Sequence, residues 1–328
     1  MTPEVDINRP DFAAIEKAAD RIAAHAHVTP VMRSDSIDTL AGASLLFKCE
    51  NLQRAGAFKF RGACNAVWSL SDAEAARGVV THSSGNHGAA LAMAARTRGI
   101  ECHVVVPKGA VRSKVEAITN YGASVHRCEA TISAREQAAE TVRQQTGASL
   151  VHPYADARII AGQGTATREF IAEVGALDAL IVPVGGGGLV SGTAIAASAL
   201  APGLSVFAAE PAGAADTKAS LLSGERIADF APETICDGLR ALVGAVNFEI
   251  IRDHRVEVLT VDDEETVSAM RLIWQRMKII VEPSAAIVLA AVLRHRERFA
   301  GMRIGLILSG GNVDLDDLPW VPHFGVDA

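Results

Sequence analysis

The stretch Asn51-Leu52-Gln53-Arg54-Ala55-Gly56-Ala57-Phe58-Lys59-Phe60-Arg61-Gly62-Ala63 decides how the chain is read. A glycine-containing turn delivers a lysine between two aromatic residues, and a Gly-Ala-Cys-Asn-Ala-Val-Trp run comes directly after it. These neighbours predict a partly desolvated ammonium. Desolvation disfavours the charged form and lowers a lysine pKa. The neutral amine is the form that attacks an aldehyde to give a Schiff base. One lysine in an apolar setting is weak evidence alone, so its meaning depends on three segments further along the chain.

Thr81-His82-Ser83-Ser84-Gly85-Asn86-His87-Gly88 comes after a strand-like run and precedes an alanine-rich helix. Such a turn offers hydroxyls, an amide and helix N-terminal N–H groups to an anion such as a substrate carboxylate; the plainer reading is an ordinary Ser/Asn helix cap. Val184-Gly185-Gly186-Gly187-Gly188-Leu189-Val190-Ser191-Gly192 succeeds the apolar run Ala179–Pro183. Its four glycines let backbone N–H groups converge in front of a helix, which makes a phosphate cradle. It lacks the Lys-Ser/Thr of a P-loop and the spacing of a dinucleotide site. Leu308-Ser309-Gly310-Gly311-Asn312 closes the last strand-like run, with a hydroxyl suited to a heteroaromatic nitrogen; in isolation it would be only a turn.

Around these segments, apolar runs alternate with helical periodicity. Ser44–Cys49, Gly78–His82, Cys102–Val106, Ser124–Arg127, Ala179–Pro183, Val206–Ala209 and Arg303–Leu308 read as buried strands. Phe12–His25, Phe58–Leu70, His87–Arg98, Ser113–Tyr121, Ser133–Gln145, Ile159–Val174, Glu264–Met277 and Ser284–Arg296 read as helices. The alternation predicts an α/β protein of two lobes, each with a mostly parallel sheet flanked by helices. Ligands in such sheets sit at the carboxyl ends of strands, where the chemical segments fall. Residues 75–155 are expected to form a small mobile domain inserted between 1–74 and 156–328, which together form the large one. No Pro/Gly linker marks the joints.

Composition bounds the function. A chain of 328 residues with 49% hydrophobic and 21% charged residues suits a compact enzyme. A net charge of −7 argues against a nucleic-acid footprint. No apolar run is long enough for a bilayer, and no signal peptide is expected. Cys49, Cys64, Cys102, Cys128 and Cys236 are dispersed and without metal-ligand spacing, as for reduced thiols in a cytoplasmic protein.

Taken in order, these motifs resemble the fold type II pyridoxal 5'-phosphate (PLP) enzymes of tryptophan synthase β-like fold, in the serine/threonine dehydratase and serine racemase branch. Gly162-Gln163-Gly164-Thr165 and Val281-Glu282-Pro283-Ser284 match the same pattern. The chain stops soon after Asn312, so the C-terminal regulatory domain of biosynthetic threonine deaminases is expected to be absent. The resemblance implies that Lys59 is the Schiff-base lysine and the Cα base. It implies that Phe58 and Asn86 flank the cofactor, that Gly185, Gly186, Gly187 and Gly188 hold its phosphate, and that Ser309 faces the pyridine nitrogen. Ser83, Ser84, Asn86 and His87 would line the substrate-carboxylate pocket. Ser84 would be either a carboxylate contact or an acid/base on the second face.

The resemblance also places a hard-cation site, Mg²⁺ or alternatively Ca²⁺ or Mn²⁺, on Glu210, the Ala214 carbonyl and Asp216; the plain reading is a solvated acidic loop. Tyr121, Lys278 and Asn312 match part of a nucleotide activator site of some eukaryotic members, although structural roles are the simpler reading. Arg135 and Arg240 match substrate-bordering positions. A guanidinium there would bind a second carboxylate. The expected reaction is therefore β-elimination from a β-hydroxy amino acid, with 3-hydroxyaspartate giving oxaloacetate, by way of iminosuccinate, and ammonia. Serine/threonine dehydration or serine racemisation is the alternative, and a non-catalytic PLP-binding protein a remote one. The chain is expected to work as a homodimer.

Overall fold

The computed structural model describes residues 9–320 except Val111. Ten strands are present among them: β1 Val31–Met32, β2 Ser44–Lys48, β3 Val79–His82, β4 Cys102–Pro107, β5 Ser124–Cys128, β6 Ser149–Leu150, β7 Ala179–Pro183, β8 Ser205–Pro211, β9 Glu257–Val261 and β10 Arg303–Ile307. They form a six-stranded sheet ordered β1-β2-β10-β7-β8-β9 and a four-stranded sheet ordered β5-β4-β3-β6. Every pairing is parallel except β1 with β2. The four-stranded sheet takes its strands from residues 79–150 and the six-stranded sheet takes its own from both sides of that stretch.

Parallel strands need crossovers, and helices supply them on both faces. The centre of the large sheet is consequently continuous in apolarity: β7 is buried at every position. Against it lies the helix Pro283–Arg294, buried from Ser284 through Val292. With only 5% aromatic residues, the core is closed by aliphatic and alanine side chains, and helices approach one another closely. The helices Lys59–Trp68, Ala157–Val174 and Gly188–Leu200 meet at glycines. A Cβ on Gly162 would lie 2.5 Å from Gly62 Cα, and one on Gly192 would lie 2.5 Å from Gly164 N and Ile160 O. The Gly162-Gln163-Gly164-Thr165 segment is thus the crossing point that sets the Lys59 helix against the glycine-cradle helix.

A buried ionic cluster fixes the same helix at its other side. Arg61 donates to both carboxylate oxygens of Glu50, at 2.7 and 2.8 Å, and to Glu169 at 3.0 Å. Lys48 donates to Glu169 at 2.5 Å and to the Thr29 carbonyl at 2.7 Å. Arg61, Glu50 and Lys48 are buried.

Several sequence expectations change. The strand at β5 is a partly exposed edge rather than a buried strand. The strand β9 and the two-residue strands β1 and β6 have no counterpart among the expected strands. The first helix ends at Ile22 rather than His25, and the final helical run breaks after Arg294 before a short helix Arg296–Phe299.

Gly192→Ala should therefore force two helix backbones apart. Overpacking of this kind costs about 1–3 kcal/mol. Chemical denaturation is expected to show that loss; unchanged stability would contradict the close crossing.

Candidate active site

The C-terminal ends of both sheets face one cleft. From the small sheet, β3 ends in His82 and leads into the helix Asn86–Arg98. No side chain caps that helix, so its first N–H groups remain available to an anion. Gly88 is obligatory here, because a Cβ would overlap the Ser83 carbonyl. Ser83 and Ser84 are half-buried beside it. Strand β6 pairs with β3 and delivers His152, whose ring lies 5.3 Å from that of His82.

From the large sheet, β7 ends in the glycine turn. Gly187 has φ +92°, and the helix Gly188–Leu200 starts there without a side-chain cap. Strand β10 runs out at Ser309, which is buried with only a 3.4 Å hydrogen bond to the Ser284 carbonyl. The Lys59 turn is laced to this strand end. Phe58 N donates to Ser309 O, Gly311 N to Gly56 O, and Asn51 N to Leu308 O, all at 2.9 Å. Residues from opposite ends of the chain thereby become neighbours by backbone pairing.

Lys59 opens its helix and is half-buried. Its Nζ donates to the Pro153 carbonyl at 3.0 Å and sits 5.1 Å from the Phe58 ring centroid. Burial pushes its pKa down to about 8, opposed by the charge of Glu282. The surrounding imidazoles are neutral. Burial, and then the Lys59 charge, hold His87 well below its ordinary value. Burial and His82 push His152 down to about 4. His152 Nδ1 accepts from Ala155 N at 3.0 Å, which leaves its proton on Nε2.

Asn86 is tied to residues of the large lobe. Its amide donates to Glu282 at 2.8 Å and accepts from Asn312 at 2.9 Å, and Asn312 also donates to the Ala55 carbonyl. Glu282 is buried, its Oε2 lacks a hydrogen-bond partner among the described residues, and burial raises its pKa to about 7. The role of Asn312 here is structural. Lys278 donates to the Gln275 carbonyl and closes the helix Asp263–Met277 in a left-handed conformation.

The arginines separate. Arg135 lies within electrostatic reach of His82, and its Nε is buried without a hydrogen-bond partner among the described residues, while Nη2 donates to Ala130 O. Arg240 is exposed and spends Nε and Nη2 on the Thr234 carbonyl at 2.9 and 2.5 Å. Glu210 accepts from Thr217 N and Lys218 N, and Asp216 accepts from Val243 N. Both carboxylates are buried and near each other, and burial raises both pKa values, that of Glu210 to about 7. No group of three or more His, Cys, Asp or Glu side chains in metal-binding arrangement occurs among the described residues.

His152, Tyr154 and Glu282 are site residues that motif reading does not assign. The first two carry no spacing signal, since only the β3–β6 pairing brings them in.

A lysine amine, an uncapped glycine turn and a loosely bonded serine hydroxyl share this cleft, and together they fit an aldehyde cofactor with a phosphate and a ring nitrogen. The chain matches the family described as pyridoxal-phosphate dependent enzyme over residues 22–310. It belongs to that family, in its fold type II form. It is 48% identical over 311 residues to a beta-hydroxyaspartate dehydratase of Paracoccus denitrificans, covering 95% of this chain and 99% of the relative. It is 50% identical over 308 residues to a serine racemase of Dictyostelium discoideum, covering 93% and 95%. The solved structure of maize serine racemase superposes with a TM-score of 0.91 at 46% identity, covering 93% of this chain and 94% of the other.

Because the Lys59 pKa lies near 8, its neutral fraction rises with pH through that value. Cofactor capture by the apoprotein, monitored by absorbance, should accelerate through about pH 8 and then level off. A midpoint near the ordinary lysine value, above about pH 10, would show that the amine is not desolvated.

Proposed function

We propose that this chain converts 3-hydroxyaspartate to oxaloacetate and ammonia, eliminating one water that is regained when the imine is hydrolysed. Bound PLP supplies the electron sink that makes the Cα–H acidic. The protein supplies the rest. The N–H groups at the start of the Asn86–Arg98 helix, with Ser83 and Ser84, bind the α-carboxylate. Lys59 Nζ, whose lowered pKa makes the neutral amine accessible near pH 8, takes the Cα proton. Departure of the β-hydroxyl leaves an enamine that becomes iminosuccinate, and water converts this to oxaloacetate and ammonia. Ser309, a neutral partner, leaves the ring nitrogen without an enforced charge, which favours expulsion of a β-substituent over reprotonation.

The observation that carries the substrate is Arg135 within electrostatic reach of His82, with Nε lacking a hydrogen-bond partner among the described residues. One carboxylate is already served by the helix N-terminus, so this cation is available to a second. The hydroxyaspartate dehydratase relative supports the same reading. The serine racemase relative favours a second one, in which Ser84 returns a proton to Cα on the face opposite Lys59.

A charge-assisted hydrogen bond is worth about 1.5–3 kcal/mol, or roughly tenfold or more in affinity. Arg135→Ala should raise KM for hydroxyaspartate at least tenfold and leave serine nearly unchanged. Arg240→Ala should do little, because its guanidinium is held at Thr234. Equal loss on both substrates in Arg135→Ala would overturn the dicarboxylate reading.

Glu210, Asp216 and the Ala214 carbonyl suit Mg²⁺ or a similar cation, since two buried carboxylates without a basic side chain hydrogen-bonded to them fit a hard ion. Chelation is expected to lower melting temperature and activity, with Mg²⁺ restoring both. Unchanged stability and activity after metal removal would exclude the site.

A further inference from the structure

Tyr154 occupies the point where the chain leaves the small sheet and enters the large lobe. It lies just beyond the end of β6 and just before the helix Ala157–Val174. Its ring packs under the glycine turn: a Cβ on Gly186 would overlap the ring, and one on Gly188 would lie 3.1–3.2 Å from Tyr154 backbone and Cβ atoms. The Tyr154 carbonyl accepts from Asn247, which also donates to Ser191 of the cradle helix. The ring edge meets His152 at 4.6 Å between centroids. The ring is therefore held at two places, against Gly186 and against His152, and the backbone behind it is held by Asn247.

The charged groups within reach of its hydroxyl are Glu136, adjacent to Arg135 on the small lobe, and Arg226 and Asp216 on the large lobe. The Tyr154 ring meets His152, His152 meets His82, and Arg135 lies within electrostatic reach of His82, so the phenol belongs to the same chain of neighbours as Arg135. Burial raises its pKa, so the hydroxyl keeps its proton as a donor. The α-carboxylate is served elsewhere, at the Asn86–Arg98 helix.

We propose that Tyr154 is a specificity-determining residue, whose O–H donates to the distal carboxylate of the substrate alongside Arg135, while its ring rests on Gly186. This inference depends on the dicarboxylate reading of the substrate.

Tyr154→Phe keeps the ring against Gly186 and removes only the hydroxyl. In the PLP-loaded protein, kcat/KM for the best hydroxyaspartate isomer should fall about tenfold or more, mainly through KM, with serine changed less than about twofold. A second readout needs no elimination: L-aspartate and L-alanine, which lack a β-leaving group, are titrated against the cofactor absorbance. The variant should weaken aspartate about tenfold and leave alanine unchanged. Equal changes for the two ligands, or no change, overturn the assignment of Tyr154. A wild type that prefers serine to every hydroxyaspartate isomer overturns the substrate reading instead. The aspartate and alanine titration then decides the role of Tyr154 by itself: selective weakening of aspartate supports it, and any other result refutes it.

Discussion

Two cations sit two residues apart on one helix and meet opposite fates. Arg61 is buried against Glu50 and Glu169, and although burial alone would lower its pKa, those carboxylates raise it. Lys59 has a carbonyl, an aromatic ring and neutral imidazoles around it, and its pKa falls. Burying a charge is costly unless it is paired. Pairing at Arg61 therefore anchors the helix to the end of β2 and to the Ala157–Val174 helix, and lack of pairing at Lys59 leaves a reactive amine at its tip. The chemistry depends on this contrast. Removing one partner from the Arg61 cluster would strand a buried charge and loosen the element that presents Lys59.

The cleft gathers groups from two sheets because parallel strands all point the same way, and their carboxyl ends supply one rim each. The small sheet contributes His82, His152 and the uncapped N-terminus of the Asn86–Arg98 helix. The large sheet contributes the glycine turn and Ser309. Polar contacts join the rims: Asn86 to Glu282 and Asn312, and the Lys114–Asp237 ion pair. Such contacts hold the two sheets' C-terminal ends together through polar rather than apolar surface.

Much of this is legible in the sequence. The apolar runs at β7 and β10 and the motifs after them mark strand ends and turns with a reason for each residue type. The strand β9 escapes because Glu257 and Thr260 interrupt its apolar pattern, and β1 and β6 are too short to show a period. The edge position of β5 comes from sheet order, which no local pattern encodes. Arg135 and Arg240 look equivalent in sequence. Only the fold shows one with a buried donor that has no partner among the described residues and the other tied to Thr234. Tyr154 and Glu282 are hidden for a related reason. Their roles come from what distant strands place against them, a glycine turn in one case and Asn86 in the other.

The most direct test of the dicarboxylate reading is keto-acid release by the PLP-loaded wild type across the four 3-hydroxyaspartate isomers, L-serine, D-serine and L-threonine. The expected result is oxaloacetate and ammonia in equal amounts from at least one hydroxyaspartate isomer, with kcat/KM above that for every monocarboxylate. A higher kcat/KM for serine or threonine than for all four isomers would contradict it.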